Sequence, residues 1–361
     1  MEVCQERLQI PVGSIVTVAN ELTGKLDVSQ LLSVNDVTVE FHARKGLLGT
    51  VPVRALDGVT LTLGTGETVA LVGESGSGKT TLARVCLRLQ EPTRGRVSFD
   101  GQDITHWKDK RLQGFRRRAQ GIFQDPFSSL DTNMTVGQIV EEPLVIHGLR
   151  DGRQDMVYKA LEEVKLTPPE EMAAKFPHML SGGQRQRVAI ARALVLQPEL
   201  VVADEPVSMV DASSRAEILY LLRELQERHG TAFLYITHDI ATAYHFSQRI
   251  AVMYLGRIVE TGATREVIGN PLHPYTQALL KAVPEPDPDN RLRRRAVVEG
   301  EPPSPAHPPS GCHFHPRCPY AFGPCPAQSP PLVEVRPGHW TACHLWPGAD
   351  AAARLPERAG T

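Results

Sequence analysis

The residues best suited to chemistry begin at Gly73-Glu74-Ser75-Gly76-Ser77-Gly78-Lys79-Thr80, which matches G-x-x-x-x-G-K-[ST]. Glycines let such a loop curl until its N–H groups face an anion, and the dipole of a following helix favours the same charge. Gly73, Ser75, Gly76, Gly78, Lys79, Thr80 and Thr81 are therefore the candidate contacts to a nucleoside triphosphate. Lys79 is suited to the β and γ phosphates, and the Thr80 hydroxyl to a Mg²⁺ ion. Asp204, after the apolar stretch Leu200–Ala203, is the second acidic partner expected to orient that metal, and Glu205 follows it directly.

Three further polar groups stand at matching places. Gln124 follows the short apolar stretch 121–123, and His238 ends the apolar run 232–237. Leu180-Ser181-Gly182-Gly183-Gln184 places a serine hydroxyl and glycine N–H groups at the start of a helix, a second anion site in one chain. A lone histidine after a strand is usually structural. Here the ordered set of motifs favours a chemical role.

The elements that must hold these groups are legible from pattern. An apolar strand, Thr68–Val72, precedes the phosphate loop, and a helical run, Thr81–Leu89, follows it. Leu200–Ala203 and Ala232–Thr237 are expected as buried central strands. Between them Ile218, Leu221, Leu222 and Leu225 share one face of an amphipathic helix over 213–229, stopped by Gly230. Strand, helix, strand in that order implies a right-handed parallel α/β sheet whose ligand sites gather at the strands' carboxyl ends. Before the loop, the apolar stretches Leu32–Phe41 and Val59–Leu63, with turns at Gly64–Gly66 and Asp100-Gly101, read as a strand-rich opening.

These segments together resemble the ABC-type ATPases, over about residues 31–275. The chain's phosphate loop, Gln124, Ser181–Gln184, Asp204-Glu205 and His238 are similar to that family's Walker A, Q-loop, signature, Walker B and switch-histidine motifs. The resemblance implies a P-loop fold with an antiparallel β subdomain, a RecA-like parallel-sheet core and a helical signature subdomain. It implies Mg-ATP as the ligand, with Thr80, Gln124 and Asp204 around the metal and Glu205 and His238 as the catalytic pair. It also implies a head-to-tail dimer in which Ser181, Gly182, Gly183 and Gln184 of one subunit cap the γ phosphate held by the other. Asp211 falls in the family's interface loop, although Ser208-Met209-Val210-Asp211 departs from the commoner Ser-Ala-Leu-Asp. Phe41 stands where the family places an aromatic on adenine, and core packing fits it equally well. The segment from Arg44 to Val53 is an insertion before the next strand.

Beyond Lys281 prolines interrupt every periodicity. The expected organisation is an N-terminal extension (1–30), a nucleotide-binding domain (31–282) with its helical subdomain at about 125–195, a Pro-rich arm and small Cys-rich module (283–346), and a flexible tail (347–361). Asn270–Thr276, Gly300–Pro305 and the cysteines resemble the C-terminal extension of oligopeptide and dipeptide importer ATPases. That resemblance implies a second ATPase subunit in a heterodimer, two membrane permease subunits and an extracytoplasmic solute-binding protein, with nickel, glutathione and opine importers sharing the extension. Cys312-x5-Cys318-x6-Cys325-x17-Cys343 supplies four thiols, enough for a [4Fe-4S] cluster, with Zn²⁺ as the alternative and unligated thiols as the plain case.

Composition bounds the rest. The 361 residues are 41% hydrophobic, enough for a sizeable core, and a formal net charge of −2 gives no broad basic surface for nucleic acid. No apolar run approaches the ~20 residues that cross a bilayer, and Met1–Ile10 carries Glu2, Glu6 and Arg7 in place of a signal-peptide core. The expected place is the cytoplasmic face of the inner membrane, held there by partner subunits. A soluble ABC protein acting on translation or DNA would carry paired cassettes or a long coiled-coil insertion, and this chain has one cassette. A regulatory cassette that binds ATP without hydrolysis is disfavoured by Glu205 and His238.

Overall fold

A computed structural model describes residues 30–45, 49–125, 129–283, 300–301 and 303–346, with the side chains of 43–45, 49–50 and 212 left aside. The expected extension and tail, most of the Pro-rich arm, and Pro126 and Phe127 lie outside those residues.

The strand-rich opening is a long hairpin. Strand β1 (Gln30–Lys45) pairs antiparallel with β2 (Gly49–Gly64), and the ladder runs out to Lys45 opposite Gly49. The insertion thus lengthens the hairpin instead of interrupting it. β4 (Arg94–Phe99) and β5 (Gln102–Asp103) complete a sheet of order β2-β1-β4-β5. Its inward side chains, among them Val34, Val37, Val39, Leu61 and Val97, share one core with β3 (Thr68–Val72) and α1 (Lys79–Cys86). α1 is shorter than the periodicity predicts, because the chain leaves the helix at Leu87 and Arg88 turns to φ +53°.

The second sheet carries the site. Among the described residues its order is β11-β12-β10-β9-β3-β8-β7-β6, formed by β6 (Ala119–Ile122), β7 (Leu200–Asp204), β8 (Ala232–Thr237), β9 (Arg249–Tyr254), β10 (Arg257–Ala263), β11 (Val333–Arg336) and β12 (His339–Thr341). From β6 to β9 all neighbours are parallel. β3, β7 and β8 are buried at every residue, which is why they read as continuous apolar runs rather than alternating ones.

Between β7 and β8 runs the crossover helix α7 (Ala212–His229), after α2 (Asp109–Arg118), α3 (Val136–Ile146), α4 (Arg153–Glu163), α5 (Pro169–Ala174) and α6 (Gly182–Leu194). Asp211 caps its start by accepting from the Ser214 N–H, and Gly230 ends it at φ +63°. Ile218, Leu221, Leu222 and Leu225 are at most 1% exposed, each contributing roughly 1.5–3 kcal/mol by burial. They join the helices α3 to α6 in one apolar cluster, so the signature helix α6 shares a core with β7.

The C-terminal residues add to this sheet rather than standing apart from it. β12 pairs with β10, and the fully buried Glu260 on β10 accepts from the N–H groups of Leu272 and His273 and lies 2.7 Å from His339 Nε2. One carboxylate therefore ties the Pro271–Tyr275 turn and the last strand to the ATPase core.

Candidate nucleotide site

Gly73 leaves β3 pressed against β9, where any Cβ would collide with the carbonyl oxygen of Met253. Gly78 sits at φ +104° beneath the Ala55 carbonyl, an angle and a space that suit glycine alone. The chain then enters α1 at Lys79, so the loop's N–H groups and the helix start face one cleft.

Lys79 is 5% exposed, and its Nζ donates to the carbonyls of Gly73 (2.8 Å) and Glu74 (2.9 Å). Burial lowers its pKa, while Glu205, Asp204 and Glu74 act in the opposite sense. Asp204 at the end of β7 is equally buried. Its pKa is raised, chiefly by desolvation and then by Glu205, although the Thr80 hydroxyl donates to it. A hydroxyl and a carboxylate placed together, with excess negative charge at their side, is a donor set that fits Mg²⁺ bound with phosphate.

Glu205 holds φ +48°, the left-handed region that β-carbon residues avoid. Its backbone is fixed on both sides: the N–H donates to Ile236 of β8, and the carbonyl accepts from the N–H and Oγ of Ser208. The side chain reaches the cleft, where Oε2 accepts from Gln124 Nε2 at 3.2 Å and Oε1 lies 3.1 Å from His238 Nδ1. Two residues from the ends of β6 and β8 thus converge on the carboxylate that follows β7.

The cleft measures about 440 Å³ and is lined by Ser75, Gly76, Gly78, Lys79, Thr80, Thr81, Gln124, Glu205 and His238, which the sequence singles out, and by Val53, Ala55 and Pro305, which it does not. Val53 and Ala55 are ordinary strand residues of β2 without a motif of their own. Pro305 belongs to the Gly300–Pro305 stretch, so the C-terminal region reaches the nucleotide cleft. Phe41 is outside the lining. It stands 41% exposed directly across the hairpin from Val53, which excludes the core-packing alternative.

Ser181, Gly182, Gly183 and Gln184 are also outside this cleft. Ser181 Oγ accepts from the Gln184 N–H while Gln184 Oε1 accepts from the Ser181 N–H, a capping box that closes α6 on itself. A Cβ on Gly183 would meet the Ser214 side chain, placing this turn beside the start of α7. Asp211 there has a pKa held down to about 2, first by the Ser213 hydroxyl and then by the Ser214 N–H.

The four-cysteine expectation receives no support. Cys312, Cys318, Cys325 and Cys343 sense one another's charge, yet among the described residues no group of three or more His, Cys, Asp or Glu side chains is placed to hold a metal ion. Sequence spacing does not set sulphur-to-sulphur distance. Cys312, Cys318 and Cys343 are each met by backbone N–H groups of their own turns, and burial raises all three, Cys343 to about 12. Neither [4Fe-4S] nor Zn²⁺ is assigned. No helix among the described residues is long and apolar enough to cross a membrane.

Comparison with known proteins fits this geometry. The family model described as ABC transporter matches residues 56–208, and the one described as oligopeptide/dipeptide transporter, C-terminal region, matches 259–325. A peptide import ATP-binding protein of Brucella ovis is 48% identical over 315 residues, covering 87% of this chain and 97% of that one. The oligopeptide transport ATP-binding protein AppF of Bacillus subtilis is 44% identical over 337 residues, 92% of this chain and 100% of that one. Among solved structures, an ATP-binding cassette in a post-hydrolysis dimer bound to ADP and phosphate superposes with a TM-score of 0.57 at 32% identity, over 65% of this chain and 99% of that one.

Proposed function

This chain belongs to the ABC transporter ATP-binding family, in the branch that carries the oligopeptide/dipeptide transporter C-terminal region, and from that premise we propose that it hydrolyses ATP to drive peptide import through partner membrane subunits. The observation that carries the proposal is the convergence of Gln124 and His238 on Glu205, opposite Lys79 in one cleft.

In this reading the loop from Gly73 to Thr80 binds the triphosphate. Lys79 exchanges its two carbonyl partners for phosphate oxygens, regaining the charge partner that burial makes valuable. Thr80, Asp204 and Gln124 would hold Mg²⁺, which supplies neutralising charge when bound with the nucleotide. Glu205 accepts the proton of the attacking water at a carboxylate oxygen. His238 donates from Nδ1 to Glu205 Oε1, and that contact orients its ring toward the γ phosphate. Phe41, exposed at the cleft's edge, stacks on the base.

Ser181, Gly182, Gly183, Gln184 and Asp211 face a second ATPase subunit. The Ser181 oxygen is used as an acceptor within its own cap, so its hydroxyl hydrogen and the glycine N–H groups are available to a phosphate from outside. We assign the partner as a related but distinct ATPase. Two permeases and an extracytoplasmic solute-binding protein complete the machine, and the chain sits peripherally on the cytoplasmic face of the inner membrane. Names of the relatives favour peptides over nickel, glutathione or opines.

The test is reconstitution of the assembled complex in proteoliposomes. ATP hydrolysis and uptake of a labelled peptide should both rise when the solute-binding protein is supplied with that peptide. Hydrolysis without peptide uptake across a panel of di- and oligopeptides would refute the cargo assignment, and absence of ATP turnover would refute the enzyme.

A further inference from the structure

We propose that Arg317, in the C-terminal region, is a positioning residue of the phosphate loop, which it serves by neutralising and anchoring Glu74. This rests on the ATPase reading of the cleft and adds to it a control point outside the ATPase core.

Glu74 is the second residue of the loop, and all three of its polar handles are held. Its carbonyl accepts from Lys79 Nζ, its N–H donates to the Tyr275 hydroxyl at 2.8 Å, and its carboxylate takes both terminal nitrogens of Arg317, at 2.9 and 3.2 Å. Two of those three grips come from residues far beyond the nucleotide motifs. The Arg317 side chain is 7% exposed and that of Glu74 25%, and Arg317 Nη1 lies 3.3 Å from the Tyr254 hydroxyl, so the guanidinium end of the pair is held out of bulk solvent. Arg317 Nε is buried with no hydrogen-bond partner among the described residues, which leaves Glu74 and Tyr254 as the groups that fix the guanidinium.

Packing makes this a rigid link. Tyr254 at the end of β9, Tyr275 and Phe314 form a cluster with ring centroids 4.6 to 5.4 Å apart, and Phe314 stands three residues before Arg317. The C-terminal region therefore meets the loop through an aromatic contact and a two-point ion pair together.

The electrostatic consequence concerns ATP. Glu74 lies within range of Lys79, the cation meant for phosphate. An unpaired carboxylate there would oppose a polyanionic ligand, more so in a partly buried site. Paired with Arg317 it presents no net charge, and the loop keeps the N–H geometry that phosphate needs.

The experiment uses the full-length chain assembled with its partner subunits, reading KM for ATP, kcat and thermal stability. Arg317→Met should raise KM about tenfold and leave kcat within about twofold, the size of coupling typical of residues in contact. Adding Glu74→Gln to that variant should bring KM back to within about threefold of wild type, because the unpaired charge is gone. An unchanged KM in Arg317→Met, or a double variant no better than the single one, overturns the proposal. If Arg317→Met does not fold, Arg317→Lys decides: an ammonium retains the charge but cannot grip both oxygens, so KM should rise about threefold, and an unchanged value counts against us. Wild-type complex that fails to hydrolyse ATP would remove the ATPase reading itself, a result separate from any ratio of variant to wild type.

Discussion

Two helix starts in this chain are built to meet anions, and they are finished to different degrees. At the first, the loop before α1, the buried Lys79, the Thr80–Asp204 contact and Glu205 between Gln124 and His238 lie in one cleft. At the second, Ser181 and Gln184 satisfy each other, and its glycines face Met209 in the loop before α7 and Ser214 in the first turn of that helix. The first has a buried cation, a hydroxyl–carboxylate pair that fits Mg²⁺ and a carboxylate proposed as the base. The second has hydroxyl and N–H donors and nothing to react with. In the proposed reading, a chain that carries one complete and one incomplete phosphate site is half of a composite, because the incomplete one gains a role when another subunit's nucleotide is brought to it.

Removing chemistry from the complete site should break the comparison most severely. Glu205→Gln keeps the volume and an oxygen able to accept from Gln124, but not the basic carboxylate. Steady-state hydrolysis by the assembled complex should fall about 10³-fold while ATP binding persists and the nucleotide-bound dimer accumulates on size exclusion. Turnover within tenfold of wild type would show that the proton goes elsewhere. The rest of the site would then be a binding pocket only.

A smaller effect is expected at the incomplete site. Ser181→Ala removes one hydroxyl donor toward the partner's phosphate and one cap acceptor from α6, a loss of about 1 kcal/mol in the helix. Hydrolysis should drop about tenfold, as for a lost hydrogen bond to a charged group, with no change in ATP affinity measured on the isolated subunit. A fall in that affinity would mean the two helix starts serve the same nucleotide. It would collapse the distinction between them.

What the sequence reveals about each site follows from how local its physics is. Gly73, Gly78, Lys79 and Thr80 are legible because strand, tight turn and helix start lie within a dozen residues and each step demands a residue type. Asp204-Glu205 and His238 are legible for a related reason: each ends a strand whose every residue is buried, and buried strands announce themselves as apolar runs. Arg317 gives no such signal. It meets Glu74 across 243 residues of chain, and an arginine beside Cys318 reads as a surface charge until the fold closes. Pro305 and Ala55 are equally silent, since cleft walls need only shape. The cysteines are less informative, because four thiols at plausible intervals constrain composition without constraining distance, and no metal-holding group is found among the described residues. The hairpin's extra length, visible as an insertion, conceals its own outcome: pairing simply continues to Lys45 and Gly49.

Phe41 tests the outer edge of the complete site, where the smallest effect is expected. Its ring is 41% exposed on β1, and its cross-strand partner Val53 lines the cleft, so the aromatic stands free beside the place where a base would extend beyond the phosphates. A ring that packed the core would be covered, and truncating it would cost stability. A ring waiting for a base costs little to remove until nucleotide binds. Phe41→Ala should therefore raise KM for ATP about threefold, from a stacking contribution of roughly 0.5–1.5 kcal/mol, with thermal stability of the nucleotide-free subunit unchanged. Phe41→Trp should recover the wild-type KM. If the alanine variant melts lower without any change in KM, Phe41 is a structural residue of the hairpin and the base is held by Val53 and its neighbours alone.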